Sequence, residues 1–390
     1  LMALGPTVSQ HYGAHRLYEI GRDTQQAMWL ALGIAAIVIA VMHSVMPLLI
    51  RLEIDFEVRR LAAHYLHALS YGVPGLYFYH VLRQMNEGIG RTVPIMVVTG
   101  IALVLNVAVS YCFVFGAFGA PRLGVIGSAV ASSISFWCMF TMLAVYVTAH
   151  PFYARFNLWR ERRAPDRAAL ARLLKLGGPI GVSLMLQAGL FTALALLMGT
   201  LGRNYAAAHQ ITLNYAGLVY MVPLGLAFAT AVLVGQAIGR GEPLGARRIG
   251  MVGISGCFLI AGSVGIVTYH CAPWIARRYT DDPQVVTLAT SLLMISAFLH
   301  MGDGTQSAAA GALRGLKDTR IPMFINGAIY WGIGFVVAYV VGIRLGVGAQ
   351  GIWMGLAMAL CTAGVMLTLR FRYVSRRHIQ QHAMPALSKQ

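Results

Sequence analysis

One carboxylate stands apart from the rest of this chain. Of the thirteen acidic residues, all but one fall in polar gaps or at the edges of long apolar runs. The exception is Asp303, deep within SAFLHMGDGTQSAAAGALRG. An ionised carboxylate in such a setting costs several kcal/mol unless it is paired, solvated or protonated. Burial disfavours its charged form and a bound cation restores it, which suits a group that exchanges a proton or Na⁺ for another solute. The structural alternative is a carboxylate bonded to neighbouring Thr305 or Gln306. His300 lies three residues earlier, close enough on a helix to share a face with Asp303. It could relay protons, or be a satisfied interior histidine. Further polar residues within apolar runs are Asn106, Gln187, Gln210, Asn214, Gln306, Asn326 and Tyr330. Each alone reads as an interhelical hydrogen bond. Together they predict a wet cavity, with Asn106, Gln210, Asn214, Gln306 and Tyr330 as its substrate-facing side chains.

Covalent chemistry has little support. A membrane-embedded enzyme would need HExxH or paired intramembrane acids, and Asp303 has no acidic companion. Cys112, Cys138, Cys257, Cys271 and Cys361 form no CxxC pair and read mainly as small buried hydrophobes. The match to GxGxxG from Gly346 to Gly351 joins two apolar runs and reads as a turn. There is no Walker A loop, so the expected energy source is an ion gradient or a partner subunit. No cofactor and no fixed metal are expected beyond a possible Na⁺ at Asp303.

The elements that must position these residues are spanning helices. The chain is 58% hydrophobic and 11% charged, against about 25% charged in a soluble domain. Runs of about 20 apolar residues predict spans at 26–50, 64–83, 93–118, 123–148, 176–201, 207–238, 249–270, 284–313, 321–343 and 351–370. Residues 1–10 read as the tail of another span. Backbone groups in lipid must pair internally, and no alternating segments of barrel type occur. Pro74, Pro179 and Pro223 fall inside spans, as tolerated packing or as kinks beside a cavity. The net charge of +17 does not point to nucleic acid, because Arg and Lys are confined to gaps between apolar runs.

The two halves resemble each other. Gln10 and Gly13 recur as Gln236 and Gly239, Gly88 as Gly315, and Gly124 and Gly127 as Gly348 and Gly351. The offset stays near 226 residues, as in transporters built from parallel repeats. The repeat predicts two six-helix copies, with about 50 residues, the first span and most of the second, preceding Leu1. Arg and Lys concentrate in 11–25, 83–92, 149–175, 239–248, 314–320 and the tail, which places those segments and the C-terminus in the cytoplasm. The expected divisions are an N-terminal lobe at 1–150, a basic linker at 151–175 that touches anionic headgroups, a C-terminal lobe at 176–375 and a tail at 376–390.

Four segments carry a family resemblance: AAHQITLNYAGLVYMVPLGLAFATAVLVGQAIGRGEP, AAAGALRGLKDTRIPMFINGAIYWGIGF, GPTVSQHYGAHR and VLRQMNEGIGRTVPIM. They resemble the multidrug and toxin extrusion (MATE) family, in its NorM-like branch. The resemblance implies an all-α integral membrane fold of two six-helix bundles around a central cavity. It implies an inner-membrane antiporter that exports organic cations or amphipathic drugs by alternating access, driven by H⁺ or Na⁺. It places the family's tenth-span carboxylate on Asp303 and its polar fifth-span position on Asn106. The seventh-span glutamate falls on Gln187, and a tyrosine one turn before the aspartate falls on Leu299. The site thereby loses a negative charge, which favours H⁺ over Na⁺ because hard cations prefer carboxylates. The alternative is a flippase for lipid-linked or polysaccharide precursors from the wider superfamily, which would need a strongly cationic cavity. A monomer is the expected state.

Overall fold

The computed structural model describes residues 1–50, 55–158 and 163–387, with side chains at 46–50 and 382–387 left out. Among them there is no strand. The helices are α1 (Leu4–Gly13), α2 (Leu17–Ile50), α3 (Phe56–Ser70), α4 (Val73–Gly88), α5 (Val93–Phe115), α6 (Val125–Ala149), α7 (Arg167–Leu201), α8 (Arg203–Gly239), α9 (Pro243–Arg277), α10 (Pro283–Gly315), α11 (Arg320–Arg344) and α12 (Ala349–Leu387). Nine of these are long and apolar enough to cross a membrane among the described residues. The chain is a multi-pass α-helical membrane protein.

The chain divides into two compact units, Leu1–Leu174 and Lys175–Gln390. The stretch expected to be a linker is ordered at both ends: Pro151–Phe156 is a 3₁₀ turn and Arg167 already opens α7. The last span was expected to stop at 370, yet α12 continues to Leu387. The expected loop at 51–63 and the tail at 376–390 fall partly outside the described residues.

Two expectations about boundaries fail. Residues 11–25 do not form a loop, because α1 ends at Gly13 and α2 starts at Leu17. The single span at 64–83 is two helices broken at Tyr71 and Gly72. Pro74 supplies the reason: it has no N–H to bond the carbonyl one turn back, and its ring crowds that carbonyl. The ladder re-forms only afterwards, with Leu76 N bonding Gly72 O at 3.0 Å. Pro179 and Pro223 stay within continuous helices.

The repeat is written into the backbone. Arg91 N bonds Asn86 O at 2.9 Å beyond the end of α4, and Asp318 N bonds Leu313 O at 3.0 Å beyond the end of α10. Both are six-to-one closures of Schellman type. Arg16 N to His11 O and Glu242 N to Ala237 O, each 2.9 Å, repeat the device after α1 and α8. The left-handed residue is Gly90 in one copy and Lys317 in the other, so the turn persists where a side chain makes it costlier. The helix crossing repeats too. A Cβ on Gly88 would lie 2.8 Å from Val8 Cβ and 2.9 Å from Gly5 O. One on Gly315 would lie 2.9 Å from Val234 Cβ and 2.6 Å from Ala231 O. Close helix approach without a side chain between is the standard glue of membrane helices.

In the second unit α10 is the central helix, packed on α8, α9 and α12. Half of its most apolar stretch (50%) is buried inside the protein, against 17% for α7. One apolar cluster around Trp353, Leu292 and Leu356 and another around Phe371, Leu367 and Leu313 grip it from two levels.

Candidate functional site

Asp303 sits between two glycines that let neighbouring helices close on α10. A Cβ at Gly302 would lie 2.6 Å from the Cys361 nitrogen on α12, and one at Gly304 would lie 2.9 Å from Ala261 Cβ on α9. The carboxylate is held at this level, 8% exposed. Its Oδ1 is buried without a hydrogen-bond partner among the described residues.

The two bonds that would have made it structural go elsewhere. Thr305 Oγ1 donates back to Met301 O at 2.6 Å. Gln306 Nε2 donates to the Tyr330 hydroxyl at 2.6 Å, linking α10 to α11. Tyr330 is fully buried in a π-helical stretch, Ala328–Phe335, a feature frequent where a helix serves a site. One turn beyond Asp303, Ser307 shares a 2.8 Å hydrogen bond with the Tyr220 hydroxyl of α8. Both phenols are thereby tied to the residues three and four positions after Asp303 on α10. Two more buried acceptors in this unit lack a donor among the described residues: Gln306 Oε1, and Asn326 Oδ1, one helical turn before Tyr330. Carbonyl and carboxylate oxygens without donors are the groups that accept a proton or coordinate a hard cation. Among the described residues no cluster of three or more His, Cys, Asp and Glu is present.

The remaining expected site residues separate. His300 is buried, but its ring lies edge-on to Tyr215 at 6.2 Å, its Nε2 has no partner, and no ion pair joins it to Asp303. Tyr215 in turn bonds Thr268 of α9 at 2.9 Å. Leu299 is buried in the apolar cluster. Gln187 is half-buried on α7, whose Gly189 meets Trp331 of α11. Gln210 is exposed, and Asn214, also exposed, accepts from the Tyr279 hydroxyl at 3.0 Å. Asn106 belongs to the first unit, where its amide donates to Ser135 Oγ at 3.1 Å, an interhelical bond between α5 and α6. Of the five expected cavity residues, only Gln306 and Tyr330 stand beside Asp303. Tyr220 and Ser307 were missed. Ser307 was findable, since it lies four residues after Asp303 on the same helical face; Tyr220 carries no such signal.

The MatE family model matches residues 1–112 and 179–340. The chain belongs to the MatE family. It is therefore a membrane transporter and not an enzyme. A probable multidrug resistance protein NorM of Xanthomonas axonopodis pv. citri is 39% identical over 97% of this chain and 82% of its own length. The multidrug resistance protein MdtK of Yersinia pseudotuberculosis is 34% identical over 97% of this chain and 84% of its own. A crystal structure of a MATE protein in the bent conformation superposes with a TM-score of 0.89 at 18% identity, over 98% of this chain and 84% of that one.

Proposed function

We propose that this MatE protein is a cation-coupled antiporter of the inner membrane that exports organic cations and amphipathic drugs, with Asp303 as its coupling carboxylate. The observation that carries the reading is the buried Asp303 Oδ1 without a donor, beside Gln306 and Tyr330 on α10 and α11. A carboxylate whose buried oxygen no protein donor satisfies is well suited to take up a proton or a cation, which lowers the cost of its burial. Exchange of that proton or ion against substrate is the elementary step of antiport. The multidrug resistance names of the NorM and MdtK relatives support the substrate class. H⁺ is favoured over Na⁺, because Gln187 and Leu299 stand at positions where the family resemblance places a glutamate and a tyrosine. That leaves one carboxylate where a hard cation prefers several.

The test is drug efflux from proteoliposomes by Asp303→Asn and wild type, with either a pH or a Na⁺ gradient imposed. Efflux driven by the pH gradient alone, lost in Asp303→Asn, is expected. Undiminished efflux by the variant would remove Asp303 from the mechanism, and efflux driven by Na⁺ alone would overturn the ion assignment.

A further inference from the structure

The first unit contains a cavity unrelated to Asp303. It has a volume of about 570 Å³ and lies between α5 and α6 at the end where the 3₁₀ turn follows α6. Its body is apolar, formed by Val93, Val97 and Val98 of α5 and Met142 and Tyr146 of α6, and Arg91 stands at one end. Val93 and Val97 are 64% and 49% exposed, so the groove opens sideways from the helix pair.

The charged end is doubled. The guanidinium of Arg91 lies 3.6 Å from the centroid of the Phe152 ring, and that of Arg155 lies 4.2 Å from the same ring. Neither arginine forms an ion pair with a carboxylate among the described residues. The turn that carries Arg155 and Phe152 is fixed: the Tyr153 hydroxyl donates to Asn86 Oδ1 of α4, and Phe152 N donates to His150 Nδ1 at 3.1 Å. Arg91 reaches the same ring from the connection between α4 and α5. Beside them, α5 begins at Val93 after Thr92, whose side chain makes no cap bond, leaving first-turn N–H groups and the positive end of the helix dipole uncapped by a side chain.

We propose that this groove binds an anionic phospholipid, with the headgroup phosphate on Arg91 and Arg155 and an acyl chain along Val93, Val97 and Met142. Two guanidiniums fixed on one aromatic ring, paired to no carboxylate among the described residues, select a phosphate. They repel the organic cations assigned to the transport route. A positive end continued by an apolar trough has the layout of a lipid, and basic pockets between membrane helices are known to take such headgroups. The site is independent of the transport reading.

The experiment is native mass spectrometry of the purified full chain. It is titrated with phosphatidylglycerol or phosphatidylcholine of identical acyl chains, with inorganic phosphate or tetraphenylphosphonium as competitor. Retention of phosphatidylglycerol about tenfold tighter than phosphatidylcholine is expected from two cations at the headgroup. Arg91→Gln with Arg155→Gln should erase that preference, and Val97→Trp should weaken retention of both lipids. Equal retention of the two lipids by the wild type, a comparison that needs no variant, would overturn the proposal. Displacement by inorganic phosphate would reduce the groove to a free-anion site. Displacement by tetraphenylphosphonium would make it part of the drug route. Either result ends the lipid assignment.

Discussion

Helices α4 and α10 occupy equivalent places in the two units and differ in what they carry. They end on Gly88 and Gly315, close with the same backbone bonds, and press those glycines against equivalent neighbours. At the register of Asp303, however, α4 has Leu76, and at the register of Gln306 it has Tyr79. Each helix is still tied to its successor: the Tyr79 hydroxyl meets Thr99 Oγ1 of α5 at 2.9 Å, as Gln306 meets Tyr330 of α11. Only the second pair stands beside an unsatisfied carboxylate. The repeat therefore preserves helix crossings, which tolerate almost no change in volume, while the polar face is free to diverge.

The largest expected effect separates the units by chemistry. Asp303→Asn should abolish coupled efflux while leaving the protein folded, whereas Leu76→Asn, at the same register of α4, should leave the dependence on the ion gradient in place. Efflux assays on both variants check this, and loss of coupling from the Leu76 change would break the comparison.

Next come the crossings, where the two units should respond alike. Gly315→Ala and Gly88→Ala each force a Cβ against a backbone carbonyl and should cost about 1–3 kcal/mol. Gly100→Ala, which has open space around it, should be neutral or stabilising by up to about 1 kcal/mol. Thermal unfolding in detergent ranks the three, and a tolerant Gly88 beside an intolerant Gly315 would show the packing repeat to be superficial.

A smaller difference is expected at the hydroxyls. Tyr330→Phe strands a buried glutamine amide and should cost about 1–3 kcal/mol, while Tyr79→Phe removes one partly buried bond worth about 0.5–1.5 kcal/mol. Equal losses would argue that the polar environment around Gln306 is no more demanding than that around Thr99.

The smallest effect lies in the segment leading into α7. The amide of Ala168, and then Arg22 at 3.1 Å, hold the Asp166 carboxylate below its usual range. A depressed carboxylate stabilises above its unfolded value of about 3.9, and that contribution fades as pH falls through the folded value. Protease cleavage near residues 163–166 should therefore rise only under acid conditions in the wild type. It should already be raised at neutral pH in Asp166→Ala. Cleavage of the variant that matches the wild type at neutral pH would dismiss the contact.

What the sequence determined by itself was the membrane class, most of the spans, the repeat and the isolated acid. These follow from hydropathy and from glycines at fixed offsets, which are local properties of the chain. Hydropathy did not show the break at Pro74, because an apolar run is blind to a lost backbone bond. Nor did it show that α2 begins at Leu17, since its first turns are polar. Only the tertiary structure decided which polar residues meet. Asn106, Gln210 and Asn214 look as eligible in sequence as Gln306 and Tyr330, yet Asn106 bonds Ser135 in the first unit, Asn214 bonds Tyr279, and Gln210 and Asn214 are exposed, away from the buried Asp303. Helix rotation and crossing, set by close contacts such as those at Gly302 and Gly304, choose the face that surrounds Asp303, and that choice depends on packing between residues far apart in the chain.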